Sequence, residues 1–130
     1  MTGAMIESEI GGIFVPVSDV LAARDWYCRL LKRPAVEDVL FGHLCVLPMK
    51  NGAPLLLDSK DFSGPHANKP LFHFNSKDLV GAREHAAANG ASDISPIRDN
   101  AFFTFKDLDG NLLMIADVPA ATPFREESDT

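Results

Sequence analysis

The chain has 130 residues, enough for one domain and too few for two independent cores. It is 46% hydrophobic and 23% charged, the balance of an ordinary globular protein, and no apolar run is long enough to cross a bilayer. A net charge of −6 without any basic cluster argues against nucleic acid, which needs a concentrated positive footprint.

The N-terminus lacks the basic-then-apolar order of a signal peptide, so the expected location is the cytoplasm, with no membrane partner. Residues 1–9 and 119–130 are polar and aperiodic and are expected to be flexible ends. Residues 13–17 form a short β-type run, after which Ser18 and Asp19 supply N-cap chemistry. From residue 20 to 31 apolar side chains recur at helical spacing (Val20, Ala23, Tyr27, Leu30, Leu31), and Pro34 stops the helix. Residues 40–47 and 54–57 read as two strands joined by Pro48-Met49-Lys50-Asn51-Gly52, a hairpin signal.

Residues 59–69 then link the first half of the chain to the second. This stretch is long and aperiodic, and it reads either as a flap over a pocket or as a plain connector. Residues 71–74 are a strand, and Asp78 caps a helix that runs to Asn89 and ends at Gly90. Residues 101–105 and 112–116 form a second hairpin around Asp107-Leu108-Asp109-Gly110-Asn111. The two cysteines, Cys28 and Cys45, are too few and too scattered for a zinc knuckle or a disulfide framework. Cys28 reads as a buried helix residue, and Trp26 and Tyr27 follow core spacing, with stacking on a ligand as the alternative.

The order of elements repeats. Asp19-Val20-Leu21-Ala22-Ala23-Arg24-Asp25-Trp26 lies over Asp78-Leu79-Val80-Gly81-Ala82-Arg83-Glu84-His85, matching in type at each position except the last. Capped amphipathic helices look alike, but the hairpins also superpose, Asn51-Gly52 on Asp109-Gly110. Two copies of a strand, a helix and a hairpin are the reading that accounts for both.

Val17-Ser18-Asp19 followed by Trp26-Tyr27, with Phe105-Lys106-Asp107-Leu108-Asp109-Gly110-Asn111 near the end, resembles the vicinal-oxygen-chelate superfamily. That group includes glyoxalase I, extradiol dioxygenases, fosfomycin-resistance enzymes and bleomycin-binding proteins. Leu108 stands where the family usually has proline. The resemblance implies an α+β fold of two βαβββ modules with cupped mixed sheets. They form a single domain over residues 10–118, with modules of about 10–58 and 70–118. It also implies a homodimer, since many members dimerise.

In metal-dependent relatives one ligand, usually His or Glu, comes from each of four strands. The resemblance carries those positions to Gly12, Leu56, Leu71 and Met114. None offers oxygen or imidazole, so no divalent ion is expected there, and methionine sulfur suits only soft ions. No metal and no other cofactor is therefore expected. One alternative is a divalent ion at a non-standard site made from His43, Asp58 and His73, which have acceptable ligand types.

Strand alternation predicts what shares the concave face with those four positions. Phe14 and Pro16 follow Gly12, and His73 and Asn75 follow Leu71. If each hairpin has an even-numbered loop, His43, Cys45 and Leu47 join Leu56 and Asp58, and Phe103 and Phe105 join Leu112 and Met114. The expected ligand-binding set is then Phe14, His43, Cys45, Leu56, Asp58, Leu71, His73, Asn75, Phe103, Phe105 and Met114. This is an apolar, aromatic-rich cup with a few polar groups, the usual composition of a small-molecule pocket. Cys45 has no basic neighbour in sequence and reads as an inert thiol.

The function this predicts is metal-independent binding of a small aromatic or amphipathic molecule, as in the antibiotic-binding relatives. The alternative is a metal-free isomerase or lyase in which Asp58 orients His43 as a base, the two being the candidate catalytic residues. A surface ion pair is the plain alternative for His43 and Asp58, and a satisfied sheet histidine for His73. A metal-dependent glyoxalase or dioxygenase ranks below these.

Overall fold

The computed structural model describes residues 5–119, so the expectations for residues 1–4 and 120–130 lie outside the described residues. The chain runs β1 (Ile13–Pro16), α1 (Val20–Leu30), β2 (Val39–Leu40), β3 (Leu44–Leu47) and β4 (Leu55–Asp58), then β5 (His73–Asn75), α2 (Leu79–Ala88), β6 (Phe102–Lys106) and β7 (Leu112–Ala116). The class is α+β with two mixed sheets, as expected. The first sheet has the order β1-β4-β3-β2, with β1 parallel to β4 and the other pairs antiparallel. The second has the order β5-β7-β6, with β5 parallel to β7.

Both helices start where the sequence places a cap. Asp19 Oδ1 accepts from the backbone of Leu21 and Ala22, and Asp78 Oδ1 from that of Gly81, satisfying amides that the first turn leaves free. The helix α1 buries Val20, Ala23, Trp26, Tyr27, Cys28 and Leu30, so Trp26 and Tyr27 pack in the core. One apolar cluster joins residues from both halves of the chain. Among the described residues no helix is long and apolar enough to cross a membrane.

Two strands depart from the expected repeat. The run 40–47 is broken by a turn at Phe41 (φ 55°) and Gly42 (φ 76°), leaving β2 only two residues long. Its counterpart in the second half never becomes regular. Ser92 and Arg98 bridge to Lys106 and Phe102, and the Ser95 amide donates to the Thr104 carbonyl at 2.8 Å. Pro96 sits between those contacts with no amide proton to add to the ladder.

The hairpin register corrects the predicted faces. Cys45 pairs with Leu57, Leu47 with Leu55, Phe103 with Ile115 and Phe105 with Leu113. The loops 48–54 and 107–111 are odd-numbered, so odd residues oppose odd residues, not even ones. Cys45, Phe103 and Phe105 therefore point into the core, each 0% exposed, rather than into the cup. Leu44, Val46, Thr104 and Lys106 take the concave face in their place.

The Asp-x-Asp-Gly-Asn loop ties the halves together. Asp107 and Asn111 are buried polar residues, 4% and 2% exposed. Asp107 Oδ1 accepts the amides of Asp109 and Asn111, and Oδ2 accepts Asn111 Nδ2 and, at 2.5 Å, the Tyr27 hydroxyl from α1. Asn111 Nδ2 also donates to the Pro16 carbonyl of β1, and its Oδ1 accepts the His66 amide. Burial, and then the neighbouring Asp107 carboxylate, push the Tyr27 phenol well above its ordinary range.

Candidate functional site

The parallel pairing of β1 with β4 sets Phe14 beside Leu56 and Pro16 beside Asp58 on the concave face. The Leu56 side chain also fills the space in front of Gly12. A Cβ built on Gly12 would lie 2.6 Å from Leu56 Cδ1. On the second sheet His73 pairs with Met114 and Asn75 with Ala116, and Leu71 lies just before β5, 50% exposed. The four positions carried over as metal ligands thus present a glycine, two leucines and a methionine. These residues do not fit a divalent ion, because no oxygen or imidazole donor is among them.

His43 and Asp58 are joined, with Nδ1 and Oδ1 2.9 Å apart. His43 belongs to the turn before β3, outside the strand, so alternation does not govern its direction. His73 stays on the other sheet, exposed, with Nδ1 3.4 Å from the Phe74 carbonyl. Among the described residues no three His, Cys, Asp or Glu side chains are grouped so as to hold a metal ion. The alternative site from His43, Asp58 and His73 is therefore not assembled by them.

A groove of about 470 Å³ opens on the concave side of β1 and the end of β4. Phe14, Pro16 and Asp58 form one wall; Lys60, Asp61, Phe62, Ser63, Gly64, Pro65 and His66 form the other. The linker thus supplies most of the lining, and Phe62, Pro65 and His66 are site residues that the sequence reading did not single out. Their only signal was the length of the linker. It is pinned at both ends. The Ser59 amide donates to the His43 carbonyl and the Lys60 amide to Asp58 Oδ1. At the far end His66 accepts from Leu112 and donates to Asn111.

Of the expected ligand set, the groove takes Phe14 and Asp58, with His43 and Leu56 beside them. Leu71, His73, Asn75 and Met114 line the second sheet and are not among the groove's walls. Burial, with Cys28 close by, pushes the Cys45 thiol up, the opposite of an activated nucleophile.

The carboxyl of Asp58 is held below its ordinary value of 3.8, chiefly by the Lys60 amide, with burial opposing and the His43 bond assisting. A depressed carboxylate contributes stability above its ordinary value that is lost as pH falls through the folded one. In urea titrations across pH, the gap between wild type and Asp58→Asn should therefore be open at neutral pH and close below about pH 3.8. A gap that stays constant into acid would show that Asp58 ionisation does not support the strand end.

Solved structures share this architecture. TnmS3, an antibiotic-binding protein from Streptomyces sp. CB03234, superposes with a TM-score of 0.68 at 20% identity, covering 88% of this chain and 98% of its own. A glyoxalase/bleomycin resistance protein from Catenulispora acidiphila gives 0.63 at 22% identity, over 86% and 100% of the two chains. A glyoxalase/dioxygenase from Nostoc punctiforme gives 0.62 at 18%, over 92% and 100%. Neighbours with such different descriptions establish the fold alone. No curated protein matches the chain significantly. The profile of the Glyoxalase/Bleomycin resistance protein/Dioxygenase superfamily matches residues 9–115.

Proposed function

The chain belongs to the glyoxalase/bleomycin resistance protein/dioxygenase superfamily, and from that premise we propose that it binds a small aromatic or amphipathic molecule without a metal ion. The observation that carries this reading is the groove between β1 and the linker. Its volume of about 470 Å³ falls within the usual range for small-molecule sites, and it combines Phe14, Phe62, Pro16 and Pro65 with a few polar groups. The likeness to an antibiotic-binding protein agrees with it. Metal independence rests on the side chains at Gly12, Leu56, Leu71 and Met114, which offer no donor to a hard ion.

Calorimetry against a broad panel of aromatic natural products tests the proposal. At least one compound should bind with a heat well above dilution, and binding should persist after chelation. Heats equal to dilution across the panel would sink it. So would one equivalent of divalent metal in protein purified without an affinity tag.

The 2.9 Å His43–Asp58 pair supports a second reading, a metal-free isomerase or lyase with His43 as base. His43→Ala with undiminished turnover of a discovered substrate would remove it. A homodimer is part of the proposal as well, because Phe14 (58% exposed) and Leu71 leave apolar surface on the concave face. Light scattering should give twice the chain mass; a monomer at micromolar concentration would count against it.

A further inference from the structure

The turn between β2 and β3 carries an arrangement that packing does not explain. Phe41 is 82% exposed and adopts φ 55°, a conformation that bulky side chains rarely take. Burial does not compensate it, since almost all of its ring faces water. An aromatic residue kept both strained and solvated is one for which a contact outside the folded chain is expected. Leu40 beside it is 44% exposed.

The turn reaches the groove wall through one bonded pair. The Phe41 ring lies 6.1 Å from that of His43, inclined at 31°. His43 is bonded to Asp58, and Asp58 is a wall of the groove. Asp58 Oδ1 already accepts both the Lys60 amide and His43 Nδ1, while Oδ2 has no hydrogen bond to any described residue. An ionised oxygen without a protein donor, on the wall of the groove, suits an N–H or a protonated nitrogen of a ligand. Asp61 adds a second carboxylate on the opposite wall against the single ammonium of Lys60.

We infer that the Phe41–His43 turn is a second subsite of the groove and that the ligand is a planar aromatic compound bearing a protonated or N–H nitrogen. One part of the ligand lies between Phe14 and the linker. Its nitrogen donates to Asp58 Oδ2, and its far ring extends over His43 onto Phe41. This rests on the groove being the binding site. The exposed turn then has a role that the groove alone does not give it, which is to select ligands long enough to reach Phe41.

Proflavine, a planar cation with amino donors, is the probe, followed by its fluorescence. Wild type should bind it more tightly than the anionic 1-anilinonaphthalene-8-sulfonate. Phe41→Gly and Phe14→Ala should each weaken proflavine binding about five- to tenfold, the effect of losing one aromatic stack. Glycine accepts positive φ freely, so Phe41→Gly should leave the thermal midpoint unchanged or raised, separating lost contact from lost fold. Unchanged affinity in Phe41→Gly, with binding weakened in Phe14→Ala, overturns the turn subsite and leaves the groove reading intact. Wild type that ignores proflavine overturns the ligand class, and the natural-product panel then judges the groove separately. A change in the oligomeric mass of Phe41→Gly overturns the subsite too, since Phe41 would then serve a contact between copies.

Discussion

Asp107→Ala should lower the free energy of unfolding by about 3–5 kcal/mol, the cost of stripping one partner from a buried, charge-assisted network. The carboxylate accepts four hydrogen bonds, two from backbone amides, one from Asn111 and one from Tyr27. Without it the buried Tyr27 hydroxyl and Asn111 amide lose their acceptor, and Asn111 Nδ2 keeps only the Pro16 carbonyl. Domains of this size are stable by about 5–15 kcal/mol, so the variant should unfold at far lower urea concentration or fail to accumulate. Asp107→Asn keeps an acceptor but brings its own donors, and should fall between the two. A loss under about 1 kcal/mol in the alanine variant would show that the loop is solvated rather than buried. The same network adds a dependence on alkaline pH. Because the folded Tyr27 phenol titrates above its ordinary 10.0, its contribution is fully present below that pH and is lost as pH rises on through the higher folded value. Tyr27→Phe should remove that alkaline loss of stability while lowering stability at neutral pH.

Phe105→Ala and Phe14→Ala should behave as opposites. Phe105 is fully buried in the core, and deleting its ring should cost about 3–5 kcal/mol. Phe14 is more than half exposed, and its removal should change stability by no more than about 1 kcal/mol. Binding should follow the reverse order. Phe14→Ala loses affinity for a groove ligand, whereas Phe105→Leu, which largely fills the same space, keeps it. Chemical denaturation paired with calorimetry on the three variants decides the matter. A folded Phe105→Leu that has lost binding would return that side chain to the cup.

The contrast between these two phenylalanines shows what the sequence carried. Fold class, both helices and their capping aspartates were legible because periodicity, caps and the repeat agreed with one another. The face of each strand was less so. Alternation fixes which residues of one strand share a face, but joining two strands needs the parity of the loop between them. Counting those loops as even sent Cys45, Phe103 and Phe105 to the wrong side, while β1, read directly from Gly12, came out correctly. The linker was recognisable as unusual, yet its ends are placed by bonds from His66 to Asn111 and from Lys60 to Asp58 at the end of β4. Such long-range partners leave no local mark. The His43–Asp58 pair was found despite the parity error, because a turn residue is free to aim where its strand neighbours cannot.

The broken segment 92–98 bears on a different matter, the behaviour of the protein when crowded. A long, flat outer strand would offer its unpaired amides and carbonyls as a template for another chain, the route to edge-to-edge polymers. Here one sheet ends outward in the two-residue β2, and the other in a run that meets β6 at scattered points around Pro96, with Asp93 and Asp99 alongside. Neither offers an incoming strand more than a few hydrogen bonds in register. The irregularity that costs the second sheet a regular strand thereby makes this edge a poor template for an incoming one.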